Sequence, residues 1–98
     1  KDYSKAFKWF RLAAKNGDAN AQFHLGQLYE AGDGIDKNLD RAAKWYHMAA
    51  DQNHSKAQAN LGWMYINGAG VKEDLDEAEK WYKRSESLGK YPRKKARN

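Results

Sequence analysis

Residues 16–51 and 52–87 align without a gap and share thirteen identities over thirty-six positions. A period of that length restricts the chain to repeat architectures, in which one supersecondary unit stacks on copies of itself. The shared residues include Ala21/Ala57, Leu25/Leu61, Gly26/Gly62, Tyr29/Tyr65, Gly32/Gly68 and Gly34/Gly70. They continue through Leu39/Leu75, Asp40/Asp76, Ala42/Ala78, Trp45/Trp81 and Tyr46/Tyr82. Residues 1–15 match 37–51, with Ala6, Lys8, Trp9, Ala13 and Ala14 recurring as Ala42, Lys44, Trp45, Ala49 and Ala50. This divides the chain into a solenoid over 1–89, made of a half repeat (1–15) and two full repeats (16–51, 52–87), and a tail over 90–98.

Each unit reads as two helices. Ala21, Leu25, Leu28 and Tyr29 form one stripe of a 3.6-period helix, and Ala42, Trp45, Tyr46 and Ala49 form another on the helix that follows. Five helices are predicted, at about 2–15, 18–31, 38–51, 55–67 and 74–87. Capping residues Asp2, Asn38 and Asp74 stand at matching positions before the second helix of each unit, and Asp74 with Glu77 has the spacing of a capping box. Gly26 and Gly62 lie inside the first helices, where glycine costs about 1 kcal/mol relative to alanine; close approach of a neighbouring helix explains them. Amphipathic pairs of this kind cannot bury their apolar faces alone, so an all-α solenoid is the expected fold. The Trp45-Tyr46, Trp81-Tyr82 and Trp9-Phe10 pairs are read as inter-helix core rather than as a base-stacking platform.

The two ends differ. Glu79, Arg84, Ser85 and Glu86 replace Ala43, Met48, Ala49 and Ala50, as a polar terminal cap requires, and Pro92 and Arg93 stop the pattern. The N-terminus opens on an unpaired second helix carrying Phe7 and Phe10, so further repeats are expected before it. Net charge is +5, and five basic residues without an acid fall in the tail, leaving 13 basic and 13 acidic groups in the rest. The tail residues Arg93, Lys94, Lys95 and Arg97 could meet phosphates, acidic partners or an anionic surface, or stay solvated. Mean hydropathy is −1.09 and no apolar run is long enough to span a membrane.

The motif A-x-x-x-L-G-x-x-Y-x-x-G-x-G followed by a branched aliphatic occurs as Ala21, Leu25-Gly26, Tyr29, Gly32, Gly34 and Ile35, continuing through Asn38, Ala42, Trp45-Tyr46 and Ala49-Ala50. A second copy runs through Ala57, Leu61-Gly62, Tyr65, Gly68, Gly70 and Val71 to Asp74, Ala78 and Trp81-Tyr82. Over about nine-tenths of its length the chain resembles the Sel-one-like repeat family, close to tetratricopeptide repeats. It has no cysteine and so does not match the branch with disulfides in each repeat. The resemblance implies a right-handed α/α superhelix of about two and a half repeats, acting as a non-catalytic adaptor or scaffold for a protein or peptide.

No residue constellation contradicts that. The loop "AGDGIDKNLD" at 31–40 fails as a calcium loop, since its copy has Ala69 and Lys72 where Asp33 and Asp36 stand. Its Gly-x-Gly also lacks the preceding strand and third glycine of a dinucleotide site, so it is assigned to turning and helix capping. His24, His47 and His54 have no metal-ligand spacing, and Ser55 beside His54 is no catalytic pair. No catalytic residue, metal or cofactor is therefore predicted. Positions that do not repeat are free of the packing constraint. Asn20, His24, Gln27 and Ala31 form a stripe whose counterparts are Lys56, Asn60, Trp63 and Asn67. By analogy with tetratricopeptide repeats, this face, with Phe23, Glu30 and Ile66 adjoining, is expected to line a concave partner-binding groove. Trp63 is its anchor, unless it packs on Phe23 or the tail. Nucleic-acid or anionic-surface binding through the tail is the alternative reading.

Overall fold

The computed structural model describes residues 3–32 and 34–85, in five helices: α1 (Tyr3–Lys15), α2 (Ala19–Ala31), α3 (Leu39–Asp51), α4 (Ser55–Asn67) and α5 (Leu75–Arg84). Asp2, Asp33, Glu86 and the tail lie outside the described residues. Each helix packs on its neighbours in chain order, α1 on α2, α2 on α3, α3 on α4 and α4 on α5. The result is the all-α solenoid that the period requires.

The glycine inside each first helix sets the spacing of a pair. A Cβ on Gly26 would lie 2.7 Å from Tyr46 Cε1, and one on Gly62 2.7 Å from Tyr82 Cδ2. The tyrosine ring of each second helix therefore rests on bare backbone of the first. Tyr46 is fully buried, and Leu25, Leu61, Ala42, Ala49, Ala50 and Ala57 pack with it in one core. The small alanines are what allow helix axes to close around a ring of that size.

Loops follow the repeat. Gly32 and Gly68 end α2 and α4 in the left-handed region, at φ 75° and 62°, where a residue without Cβ carries no steric penalty. Their N–H groups donate to the carbonyls of Leu28 and Met64. Asn38 and Asp74 then cap α3 and α5, accepting from the N–H groups of Arg41 and Glu77. The backbone N–H of Asp74 donates to the Tyr65 carbonyl at 2.9 Å, as that of Asn38 does to Tyr29. This replaces the return bond of a capping box and ties each second helix to the end of the first. The 31–40 loop thus turns a corner and caps a helix.

A buried glutamine joins successive repeats. Gln22 Nε2 donates to the Ala14 carbonyl at 3.1 Å, and Gln58 Nε2 to the Ala50 carbonyl at 3.0 Å. These carbonyls belong to the last turns of α1 and α3, whose C-terminal acceptors have no partner within their own helix. Gln52 Nε2 adds bonds to Gln22 Oε1 and the Gly17 carbonyl, both at 3.0 Å. The ion pairs His47–Asp51 and Lys80–Glu77 are solvent-exposed and add little.

Two expectations about packing are corrected. Ser85 is buried, its hydroxyl donating to the Tyr82 carbonyl at 2.7 Å, so it takes an inner position rather than one on a polar outer face. Glu79 and Arg84 do face outward. Trp9 is 68% exposed, whereas its counterpart Trp81 is 6% exposed, because Trp81 packs back on His47 of the preceding second helix, α3, and no described helix precedes α1. The Trp9-Phe10 pair is therefore not core, although Phe10 packs partly against it.

Substituting Gly26→Ala is expected to lower stability by about 1–2 kcal/mol in urea unfolding, the overpacking against Tyr46 outweighing the helix-propensity gain. A Gln22→Met variant keeps the volume but loses the bonds to Ala14 and Gln52, and is expected to cost about 1–2 kcal/mol in the same measurement.

Candidate functional site

The non-repeating residues of α2 and α4 face each other across a shallow trough. Asn20, His24, Gln27 and Ala31 are exposed on α2, and Lys56, Trp63 and Asn67 on α4; Glu30, Asn60 and Ile66 are half-buried. Three open recesses run along them. One, of about 570 Å³, lies between Phe10, His24, Gln27 and Glu30. A second, of about 290 Å³, lies at the helix N-termini between Asn20, His24, His54 and Lys56. The third and smallest is lined by Glu30, Asn60 and Trp63. Ile66 and Asn67 border none of these three, and the Asn67 amide donates to the Trp63 carbonyl of its own helix at 2.9 Å.

Phe23 is a floor residue rather than a contact surface, with 6% of its area exposed. Its ring stacks on His54 at 4.7 Å between centroids and tilts against His24 and Tyr46 at 5.3 and 5.8 Å. Beyond His24 the row continues to Phe10, stacked at 5.0 Å. Rings from α1, α2 and the start of α4 thus form one continuous row. Trp63 makes no ring stack among the described residues and is 45% exposed. Among the described residues the ring contacts of Phe23 are with His54, His24 and Tyr46 and not with Trp63. The tail, the other packing partner expected for Trp63, lies outside the described residues.

His54 is the residue that sequence reading missed. It is the N-cap of α4, with Nδ1 3.2 Å from the Ala57 N–H, at the position where Asp18 caps α2. An accepting Nδ1 leaves the proton on Nε2, which donates to Asn20 Oδ1 at 2.8 Å. One neutral imidazole therefore caps a helix, stacks on the groove floor and holds a groove side chain. Burial, with the His24 charge as the next cause, lowers its pKa from the ordinary value near 6.5. The Asp18/His54 alignment carries a usable signal, because only capping residue types are expected before a helix and histidine is an unusual choice.

Tyr46 connects the core to the trough. Its hydroxyl donates to Glu30 Oε1 at 2.6 Å. Burial first, and then the Glu30 carboxylate, raises its pKa far above the ordinary range, so it remains a donor. Among the described residues no three His, Asp or Glu side chains are grouped closely enough to hold a metal ion. The tail residues Arg93, Lys94, Lys95 and Arg97 lie outside the described residues.

Because the folded state holds His54 neutral, the unfolded chain takes up its proton first as pH falls through about 6.5. The contribution of His54 to stability is present above that pH and lost below it. A His54→Asp variant keeps a cap and is expected to lose less stability than the natural chain between pH 7.5 and 5.5, as read by urea titrations at each pH.

Comparison with known proteins agrees with the fold. The family model described as "Sel1 repeat" matches residues 1–18, 19–54 and 55–90. A Sel1 repeat protein from Oxalobacter formigenes superposes with a TM-score of 0.86 at 44% identity, over 91% of this chain and 37% of that one. A protective antigen of uropathogenic Escherichia coli with an SLR fold gives 0.86 at 34% identity, over 90% and 19%. Cysteine-rich protein B of Helicobacter pylori gives 0.84 at 28%, over 91% and 67%. By sequence, the DAP3-binding cell death enhancer 1 of Rattus norvegicus is 55% identical over 38 residues, 39% of this chain and 8% of that protein. The chitin synthase regulator SKT5 of Saccharomyces cerevisiae is 48% identical over 40 residues, 41% and 6% respectively. The chain spans less than a tenth of the length of either relative.

Proposed function

The chain belongs to the Sel1 repeat family, and on that premise we propose that it holds a segment of another protein in the trough between α2 and α4, without performing chemistry on it. Repeats of this family are generally protein–protein interaction modules and typically non-catalytic scaffolds. One relative is named for what it binds and another as the regulator of an enzyme, descriptions that suit proteins acting by contact.

The observation that carries the reading is the exposure of Trp63 where repeat-determined packing has no use for it. Its counterpart is Gln27, and 45% of the indole faces solvent beside Glu30 and Asn60. A large apolar ring ringed by polar groups is the composition of an interface anchor, because burying it releases water while the rim supplies directional bonds. Asn20, Gln27, Lys56 and Asn60 supply such a rim. Helices held by buried glycine–tyrosine contacts need little ordering on binding, which preserves affinity.

The test is a pull-down from nuclease-treated lysate comparing the intact chain, Trp63→Ala and a chain ending at Gly89. A partner retained by the intact and shortened chains should bind Trp63→Ala more weakly by about 2 kcal/mol or more, with the variant's unfolding midpoint little changed. Retention that follows the tail and disappears with nuclease or moderate salt would instead assign binding to the charged arm and overturn the groove.

A further inference from the structure

The half-buried carboxylate of Glu30 has no ion-pair partner among the described residues. Among the described residues only one of its oxygens is engaged, by the Tyr46 hydroxyl. Packing of the repeat does not require the charge, because the corresponding residue of the next unit is Ile66. Glu30 stands one helical turn beyond Gly26, the residue on which the Tyr46 ring rests, so the buried tyrosine holds the carboxylate in place. The described cation of the trough, Lys56, borders the other recess, with His54.

The recess beside Glu30 is shared with Trp63 and Asn60. The Asn60 side chain also interacts with the Tyr46 hydroxyl, and its amide carries a carbonyl oxygen able to accept. A carboxylate held by the Tyr46 hydroxyl, a side-chain amide and an exposed tryptophan therefore border one small cleft. All three attract the same kind of group, a planar cation with several N–H donors. A guanidinium satisfies them together, stacking on the indole while its edge donates to the oxygens; an ammonium offers no flat face.

We infer that the Glu30–Asn60–Trp63 cleft is an arginine subsite, and that the partner segment places an arginine side chain in it. This rests on the trough being the binding surface and adds the chemistry of one position in the ligand.

The experiment is selection of a random peptide library displayed on phage against the intact chain, each clone then screened against Trp63→Ala and Glu30→Gln. Glutamine keeps a carbonyl oxygen for the Tyr46 hydroxyl, so the fold is retained, which a thermal unfolding scan verifies. Clones that require Trp63 are expected to share an arginine. For one such peptide, made synthetically, replacing that arginine with citrulline removes the charge and keeps the shape. Binding to the intact chain should weaken on the order of tenfold, and binding to Glu30→Gln should be clearly less sensitive to the replacement. Trp63-dependent clones without a shared arginine, or an equal citrulline effect on both proteins, overturn the subsite and leave the trough standing. Recovery of no Trp63-dependent clone overturns both.

Discussion

A tyrosine ring lying on bare helix backbone determines how close the two helices of each unit approach. Tyr46 on Gly26 and Tyr82 on Gly62 are the same contact in successive repeats, with no space for even a methyl group between ring and helix. Around these contacts the core is filled largely by alanines, with Leu25 and Leu61 on the first helices. Because a packed interior transmits displacement rather than absorbing it, this one distance fixes where the outer faces of α2 and α4 stand. It also brings the Tyr46 hydroxyl up through the layer to Glu30, joining the deepest residue of the unit to the surface that faces a ligand.

Polar groups complete what the rings begin. A solenoid has a helix end at every corner, and each end carries backbone groups that must find partners. Here they are met locally, by Asp18, Asn38, His54 and Asp74 at the N-termini and by αL glycines after the first helices. Gln22 and Gln58 reach from one unit to the last turn of the one before. Such bonds are short-range and geometrically strict, so they fix the rotation between units, a property that apolar contact alone leaves loose. Surface ion pairs have no comparable part. The chain can therefore use its charges for recognition without giving up the fold.

Much of this is legible before any coordinates. Periodicity located all five helices, and the in-helix glycines pointed to a close neighbour that proved to be a tyrosine. Non-repetition separated positions with a packing duty from those without one, and it picked out Trp63 on that ground. Analogy placed Phe23 on the groove surface, yet it is buried, because its ring fills a gap between His54, His24 and Tyr46. His54 was also passed over, read by its spacing to other histidines when its meaning lay in its capping position. Ser85 was misplaced for a related reason, since a small polar side chain can turn its hydroxyl back onto the helix and be buried at little cost.

What the sequence determined by itself is the class of fold, the number and phase of the helices and the turn chemistry between them, because these follow from spacing and residue type within one turn or one loop. Tertiary structure alone decided that rings from three helices align as Phe10, His24, Phe23 and His54, that the Tyr46 hydroxyl reaches Glu30, and that Trp63, Asn60 and Glu30 share one cleft. The links between different helices in those relations span 14 to 33 positions, counted from the residue numbers, and depend on the angle at which helices cross. A repeat period tells which residues are equivalent, but not which ones meet.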